Sequence, residues 1–188
     1  TSGGEDEEPT ENPNASKPRY IWIDAAANFP DFANSKENIE RDLALAKDAG
    51  FTDIVVDVRP TTGDVLFKTN LVDQVKFMYA WIGSNYTKVE RTATWDYLQA
   101  FVDEARKQGL RIHAAINTFV GGNQIDGGTG LLYRDQSKAE WATQMNMQVG
   151  ITSVMNTSES TKFFNPAHPE VQTFLCDLLK DLAGYDLD

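Results

Sequence analysis

The sequence predicts an α/β fold, the N-terminal half of a (β/α)8 (TIM) barrel with long loops at the C-terminal ends of its strands. Three observations carry this prediction. Strand-like and helix-like segments alternate from Arg19 to the end of the chain. Each strand has an aliphatic face and an opposite face that is polar or aromatic. The functional groups of that second face crowd the strand's C-terminal end.

Arg19 to Asp24 reads as the first strand, with Ile21 and Ile23 on one face and Tyr20, Trp22 and Asp24 on the other. Ser35 then opens a helix over Lys36 to Ala49, closed by Gly50, whose inner face is Ile39, Leu43, Ala46 and Ala49. In the second strand, Asp53 to Arg59, the aliphatic face is Ile54, Val56 and Val58, and Val55, Asp57 and Arg59 oppose it. Pro60 cannot continue a ladder and Thr61-Thr62-Gly63 is turn chemistry, so the charges fall where strand becomes loop. Thr94 is the expected cap of a helix running to Gln108 that buries Leu98, Phe101, Val102 and Ala105, with Gly109 ending it. Leu110 to Asn117 is the third strand, and Ile112, Ala114 and Ile116 oppose Arg111, His113, Ala115 and Asn117. A last helix, from Pro169 to about Ala183, carries Val171, Phe174, Leu175, Leu178, Leu179 and Leu182 as its apolar face. Gly184 closes it, and Tyr185 to Asp188 reads as the start of a fourth strand. On this reading residues 19–188 are a partial barrel domain, the N-terminal part of a larger protein.

Repeated strand-helix units imply parallel strands joined by right-handed crossovers. A doubly wound dinucleotide-binding sheet would be apolar on both faces and would follow its first strand with a glycine-rich turn. Asp24-Ala25-Ala26-Ala27-Asn28 is no such turn, and the P-loop pattern is absent from the sequence. A barrel explains the two-faced strands, because its aliphatic face packs on helices while the other points inward and up into the mouth.

Composition narrows the partners. The chain has 188 residues, 41% hydrophobic and 24% charged, enough for one domain with a real core. A net charge of −11 disfavours nucleic acid and anionic membranes and suits a neutral or cationic ligand. No apolar run is long enough to span a bilayer. The single Cys176 allows no internal disulfide, and its place on an apolar helical pattern predicts a buried thiol. Residues 1–18, with the acidic run Glu5-Asp6-Glu7-Glu8 and three prolines, read as a linker or tether. Such a segment is similar to the mature start of an exported lipoprotein, whose lipidated cysteine would precede Thr1. The expected location is therefore periplasmic or cell-surface.

The connections over 59–93 and 118–167 are far longer than ordinary loops and leave from C-terminal strand ends. They hold Tyr79, Trp81, Tyr86, Phe119, Tyr133 and Trp141 together with the amides Asn85, Asn123, Gln124 and Asn165. Flat aromatic faces beside amides and carboxylates suit sugar rings, although the same aromatics could equally pin loops to the rim. Gly121-Gly122, Gly127-Gly128 and Gly130 suggest a flexible or tight loop tip and form no phosphate cradle.

Val58-Arg59-Pro60 followed by Gly63-Asp64, then Trp95-Asp96-Tyr97-Leu98, Glu104-Ala105 with Gly109-Leu110, His113 to Asn117, and Asn165-Pro166-Ala167-His168-Pro169-Glu170-Val171 occur in this order. In that ordered set the chain resembles the bacterial glycoside-hydrolase-like family ten, from Tyr20 to Asp188. The resemblance implies an exported or envelope (β/α)8-barrel enzyme acting on glycans, with peptidoglycan or another polysaccharide as substrate. Carried over by position, Arg59, Asp64, His113, Asn117 and Asn165 line the cleft, and Trp22 and Phe119 join them as substrate contacts. Two departures stand out. The family's third strand ends Asn-Pro-Tyr-Arg, where this chain has Asn117-Thr118-Phe119-Val120 and lacks the basic residue. The family's acidic residue on the fourth strand would follow Asp188.

Glycoside hydrolysis normally needs two carboxyl groups, roughly 5–5.5 Å apart for retention and about 6.5–9.5 Å for inversion. Asp24, Asp57 and Asp64 are the candidate acids, with the pair completed beyond Asp188. Asp57 either takes part in catalysis or neutralises Arg59, and the second role is preferred. His113, two residues below a strand end, reads first as a hydrogen-bonded core histidine, and His168 as structural. No metal site and no cofactor are expected. The leading expectation is a glycan hydrolase whose site is completed outside this chain; the alternative is a carbohydrate-binding envelope protein without catalysis. A deacetylase or sugar-phosphate enzyme fits less well, because histidines and glycine-cradled phosphate sites are scarce. An open sheet edge would be met by the missing barrel half or by a second copy of the chain.

Overall fold

The computed structural model describes residues 17–188; most of the tether expected over 1–18 lies outside the described residues. The chain is mixed α/β. In order, its elements are β1 (Tyr20–Ile23), α1 (Phe29–Phe32), α2 (Lys36–Asp48), β2 (Asp53–Arg59), β3 (Phe77–Ile82), β4 (Asn85–Glu90), α3 (Tyr97–Gln108), β5 (Arg111–Ile116), β6 (Val120–Asn123), α4 (Leu131–Arg134), β7 (Gln144–Met147), β8 (Gly150–Ser153), β9 (Thr161–Phe163) and α5 (Pro169–Leu182).

The expected parallel strands form one sheet in the order β1-β2-β5. The helix-facing residues of β2, Ile54, Val56 and Val58, are fully buried, as is Ile112 of β5. Removing such side chains from water stabilises the fold by roughly 1.5–3 kcal/mol each. Against them pack Ile39 and Leu43 of α2 and Leu98, Phe101 and Ala105 of α3, with Phe32 edge-on to Phe101 at 5.4 Å. The other face of the sheet is open, and Tyr20 and Trp22 are 54% and 58% exposed there. No closed barrel exists among the described residues. The Tyr185–Asp188 segment is not a regular strand, yet the Asp188 N–H donates to the Ile112 carbonyl at 2.9 Å, so its backbone lies along β5.

Local sequence accounts for the helix ends. Ser35 caps α2 by accepting from the Asn38 N–H. The cap of α3 is Asp96, which accepts from the Gln99 N–H, rather than Thr94. Asp96 sits one residue before the first helical position, and a carboxylate there also meets the positive end of the helix. Gly109 ends α3 in the left-handed region at φ 67°. On α5 the buried stripe is Val171, Phe174, Leu175, Leu178 and Leu182. Contrary to expectation, Cys176 is exposed, and Leu179 is 46% exposed; both fall beside that stripe.

The long connections are folded rather than irregular. Residues 59–93 include the antiparallel hairpin β3-β4, and residues 118–167 include the pairs β6-β9 and β7-β8. The glycine-rich stretch is a close backbone packing. A Cβ on Gly130, at φ +82°, would lie 2.6 Å from the Gly122 Cα, and one on Gly128 would strike the Tyr133 ring.

Candidate functional site

The C-terminal ends of β1, β2 and β5 enclose a cavity of about 340 Å3 lined by Trp22, Asp24, Asp57, Pro60, Met78 and Asn117, among others. Each polar residue is placed by its strand. Asp24 follows β1, and its Oδ1 accepts from the Ala26 and Ala27 N–H groups at 2.9 and 2.6 Å, which turns the chain toward α1. Asp57 lies on the open-sheet side of β2, only 9% exposed. Asn117 follows β5 and donates from Nδ2 to the Arg59 carbonyl at 2.9 Å.

Asp57 is the chemically distinctive group. Burial pushes its carboxyl up to about 6, and the nearby charge of Asp24 adds to the shift, against bonds from the Arg59 and Ala25 N–H groups. A carboxyl tuned to this range can both give and take a proton near neutral pH.

Arg59 and Asp64 do something other than face the cleft. The β2-β5 register shifts between Asp57 and Arg59, and such bulges re-aim side chains. The fully buried Arg59 guanidinium donates to the carbonyls of Asn117, Thr118 and Val120 at 2.7, 2.8 and 2.5 Å. Burial lowers its pKa to about 10, opposed by the charge of Asp64, so it stays cationic at neutral pH. Asp57 reaches it only through the Arg59 backbone N–H, at 3.2 Å. Asp64 is 3% exposed and takes two bonds of 2.5 Å from Arg134, which also pairs with Asp73. Both residues therefore fix the loops around the mouth. Neither presents its charge to the cavity.

The other expected contacts are dispersed. His113 Nε2 is 2.7 Å from Asp53 Oδ1, at the beginning of β2 and away from the cavity. Burial works to raise the Asp53 carboxyl, but bonds from Arg111, Thr52 and His113 prevail and hold it at about 2. Asn165 uses Oδ1 on the Ala167 N–H in the lead into α5. Phe119 is 44% exposed and does not line the cavity. Of the residues expected at the site, the cavity gathers Trp22, Asp24, Asp57 and Asn117.

A second cavity of about 410 Å3 shares Ala26, Thr61 and Met78 with the first and continues past Tyr79, Tyr86, Asn123 and Gln124. Four of the aromatics and amides singled out in the loops thus line one cavity. Trp141, by contrast, is buried against Phe164 and Phe174 and donates to Glu170. A larger cavity of about 720 Å3 lies by Lys68, Lys76, Arg91 and Trp95. It holds no acid from a strand end, and its arginine is spent on the carbonyls of Ala33, Ala93 and Trp95. Sequence reasoning missed Arg134 and Met78; nothing in the spacing around Arg134 marks it, whereas Met78 falls on the inner side of the alternation Phe77-Met78-Tyr79-Ala80-Trp81. Among the described residues no group of three or more His, Cys, Asp or Glu side chains is arranged to hold a metal ion.

The model of the glycosyl hydrolase-like 10 family matches residues 17–188. This chain belongs to the glycosyl hydrolase-like 10 family. An S-layer-related protein of Niallia circulans is 28% identical over an alignment of 174 residues that covers 89% of this chain and 10% of that protein. The chain thus spans about a tenth of that relative's length.

Solved structures share the fold. A hypothetical protein from Ruminiclostridium thermocellum has a TM-score of 0.53 at 14% identity over 90% of this chain and 72% of its own. Alpha-L-fucosidase isoenzyme 2 from Paenibacillus thiaminolyticus has a TM-score of 0.55 at 16% identity, covering 90% of this chain and 22% of that one. For the GH36 alpha-galactosidase from Geobacillus stearothermophilus the TM-score is 0.53 at 11% identity, with 91% and 20% covered.

Proposed function

We propose that the chain forms one half of a (β/α)8-barrel glycoside hydrolase and that the cavity at Asp57 holds one sugar of a polysaccharide, peptidoglycan being one such polymer. The observation that carries this reading is a buried carboxyl, raised to about 6, at the C-terminal ends of parallel strands. Family membership and the fucosidase and galactosidase neighbours support it. In this role Asp57 exchanges a proton with the glycosidic oxygen or with water. Trp22 offers a flat face to the ring, and Asn117 positions a hydroxyl. The partner carboxyl is supplied by the rest of the barrel, which would also cover Tyr20 on the open sheet face. A cell-surface location is supported by the S-layer-related relative. No helix among the described residues is long and apolar enough to cross a membrane.

One feature favours carbohydrate binding without catalysis. Asp64 and Arg59 are consumed by internal bonds, and the Asp24 carboxylate already serves two backbone N–H groups, which leaves Asp57 with no free acidic partner on these strands. Release of reducing ends from defined polysaccharides by the full-length protein separates the readings. Hydrolysis that falls by about 100-fold or more in Asp57→Asn, with binding retained, supports catalysis. Binding without hydrolysis in the wild type supports the second reading, and hydrolysis unchanged in Asp57→Asn removes Asp57 from the mechanism.

A further inference from the structure

The β3-β4 hairpin carries a row of aromatic rings that leads away from the cleft. Met78 and Ala80 are buried, so alternation puts Phe77, Tyr79 and Trp81 on the opposite face. Across the hairpin Trp81 is in register with Tyr86, and Tyr79 with Lys88. Phe77 meets Tyr79 edge-on at 6.1 Å, Tyr79 stacks on Tyr86 at 5.3 Å, and Tyr86 meets Trp81 at 5.2 Å. Trp81 and Tyr86 remain 67% and 57% exposed. Cross-strand pairing explains why the rings touch one another. It does not explain why the largest of them stay in water at the outer end of the row.

The row is held in place. Tyr79 donates its hydroxyl to Asp126 at 3.0 Å, and Lys88 pairs with the same carboxylate at 2.8 Å. These contacts tie the hairpin to the loop after β6 and offset the charge of Lys88 beside the rings, while Glu90 stands across from Phe77 at the inner end of the row. From Phe77 to Trp81 the strand advances about 13 Å at roughly 3.3 Å per residue. Tyr79 and Tyr86 line the second cavity together with the polar Asn123, Gln124 and Ser160, and that cavity shares Ala26, Thr61 and Met78 with the one at Asp57.

We propose that Tyr79, Tyr86 and Trp81 form a distal subsite for an extended, uncharged polysaccharide, so that the protein grips several rings of one polymer beyond the sugar at Asp57. The inference rests on the glycan reading above and narrows its substrate to a long neutral chain, which leaves out peptidoglycan with its acidic muramyl groups. A flat, pre-organised row of rings beside the cleft suits the C–H faces of successive sugars, and the net charge of −11 disfavours an acidic polymer.

Titration calorimetry of the full-length protein with chito-, xylo- and cello-oligosaccharides of graded length tests it, with Trp81→Ala and Tyr86→Ala as variants. Affinity is expected to rise with chain length. Each alanine variant should lose about threefold to tenfold on the long oligosaccharides and nothing on the disaccharide. Should an alanine variant fail to fold, protection of Trp81 from acrylamide quenching by long oligosaccharides, read as the difference from Trp81→Phe, gives the same answer. Equal length dependence in wild type and variants, or no protection, overturns the subsite while leaving the glycan reading intact. Absence of binding by the wild type at any length overturns both. Dissociation of a wild-type oligomer in Trp81→Ala, seen by light scattering without change in glycan affinity, shows a protein interface instead.

Discussion

Replacing Arg59 by alanine separates a scaffold arginine from a substrate contact. The guanidinium is fully buried and donates to three carbonyls, those of Asn117, Thr118 and Val120. A hydrogen bond from a charged donor contributes about 1.5–3 kcal/mol, so the gross loss for three is about 4.5–9 kcal/mol. Part of this is offset, since burial already disfavours the cation, as its lowered pKa shows, and the Nε has no partner among the described residues. Breaking a buried charged network by removing one member typically costs about 3–5 kcal/mol, and that is the expected net destabilisation. Native proteins are stable by only about 5–15 kcal/mol, so the urea midpoint followed by tryptophan fluorescence should fall substantially. Arg59→Lys, which keeps the charge but cannot fork to the three carbonyls, should fall in between. A loss below about 1 kcal/mol in Arg59→Ala, accompanied by lost glycan binding, would refute the scaffold role.

Two further outcomes follow from the shifted carboxyls. Because Asp57 titrates at about 6 in the fold and near 3.8 unfolded, the native state holds the extra proton between those values. Stability from this group is complete below about pH 3.8 and lost as pH rises through 6, a change on the order of 2–3 kcal/mol that Asp57→Asn should abolish in melts across that window. Asp53 has the opposite sign. Held at about 2 in the fold, it stabilises above pH 3.8 and loses that contribution as pH falls toward 2, so wild type should lose melting temperature there while Asp53→Asn changes little; parallel curves would contradict the Asp53 network.

The sheet, α2, α3 and α5 were legible because their signals are local: alternation on β2, a serine cap at Ser35, a left-handed glycine at Gly109. The hairpin β3-β4 also left a signal, the alternating aromatics Phe77, Tyr79 and Trp81 before Gly83-Ser84 and Tyr86 after it, a two-residue turn of the kind hairpins use. Length alone had marked that stretch as loop. Arg59 was not legible. Alternation puts it on the inner side of β2, but its acceptors arrive 58–61 residues later, and no local pattern distinguishes a guanidinium aimed at carbonyls from one aimed at a ligand. The same holds for Asp64, whose partner Arg134 is 70 residues away. For Asp57 strand position alone brought it beside Trp22, Asp24 and Asn117, but its preferred reading as the partner that neutralises Arg59 fails, since it meets only that residue's backbone N–H.

The central claim is that the cavity at Asp57 and the groove joined to it hold a glycan. An amide NMR titration of the full-length protein with soluble oligosaccharides tests this most directly. The account predicts that the largest shifts fall at Trp22, Asp57, Asn117 and Tyr79. Shifts confined to the cavity at Lys68, Lys76 and Trp95, or none with any oligosaccharide, would contradict it.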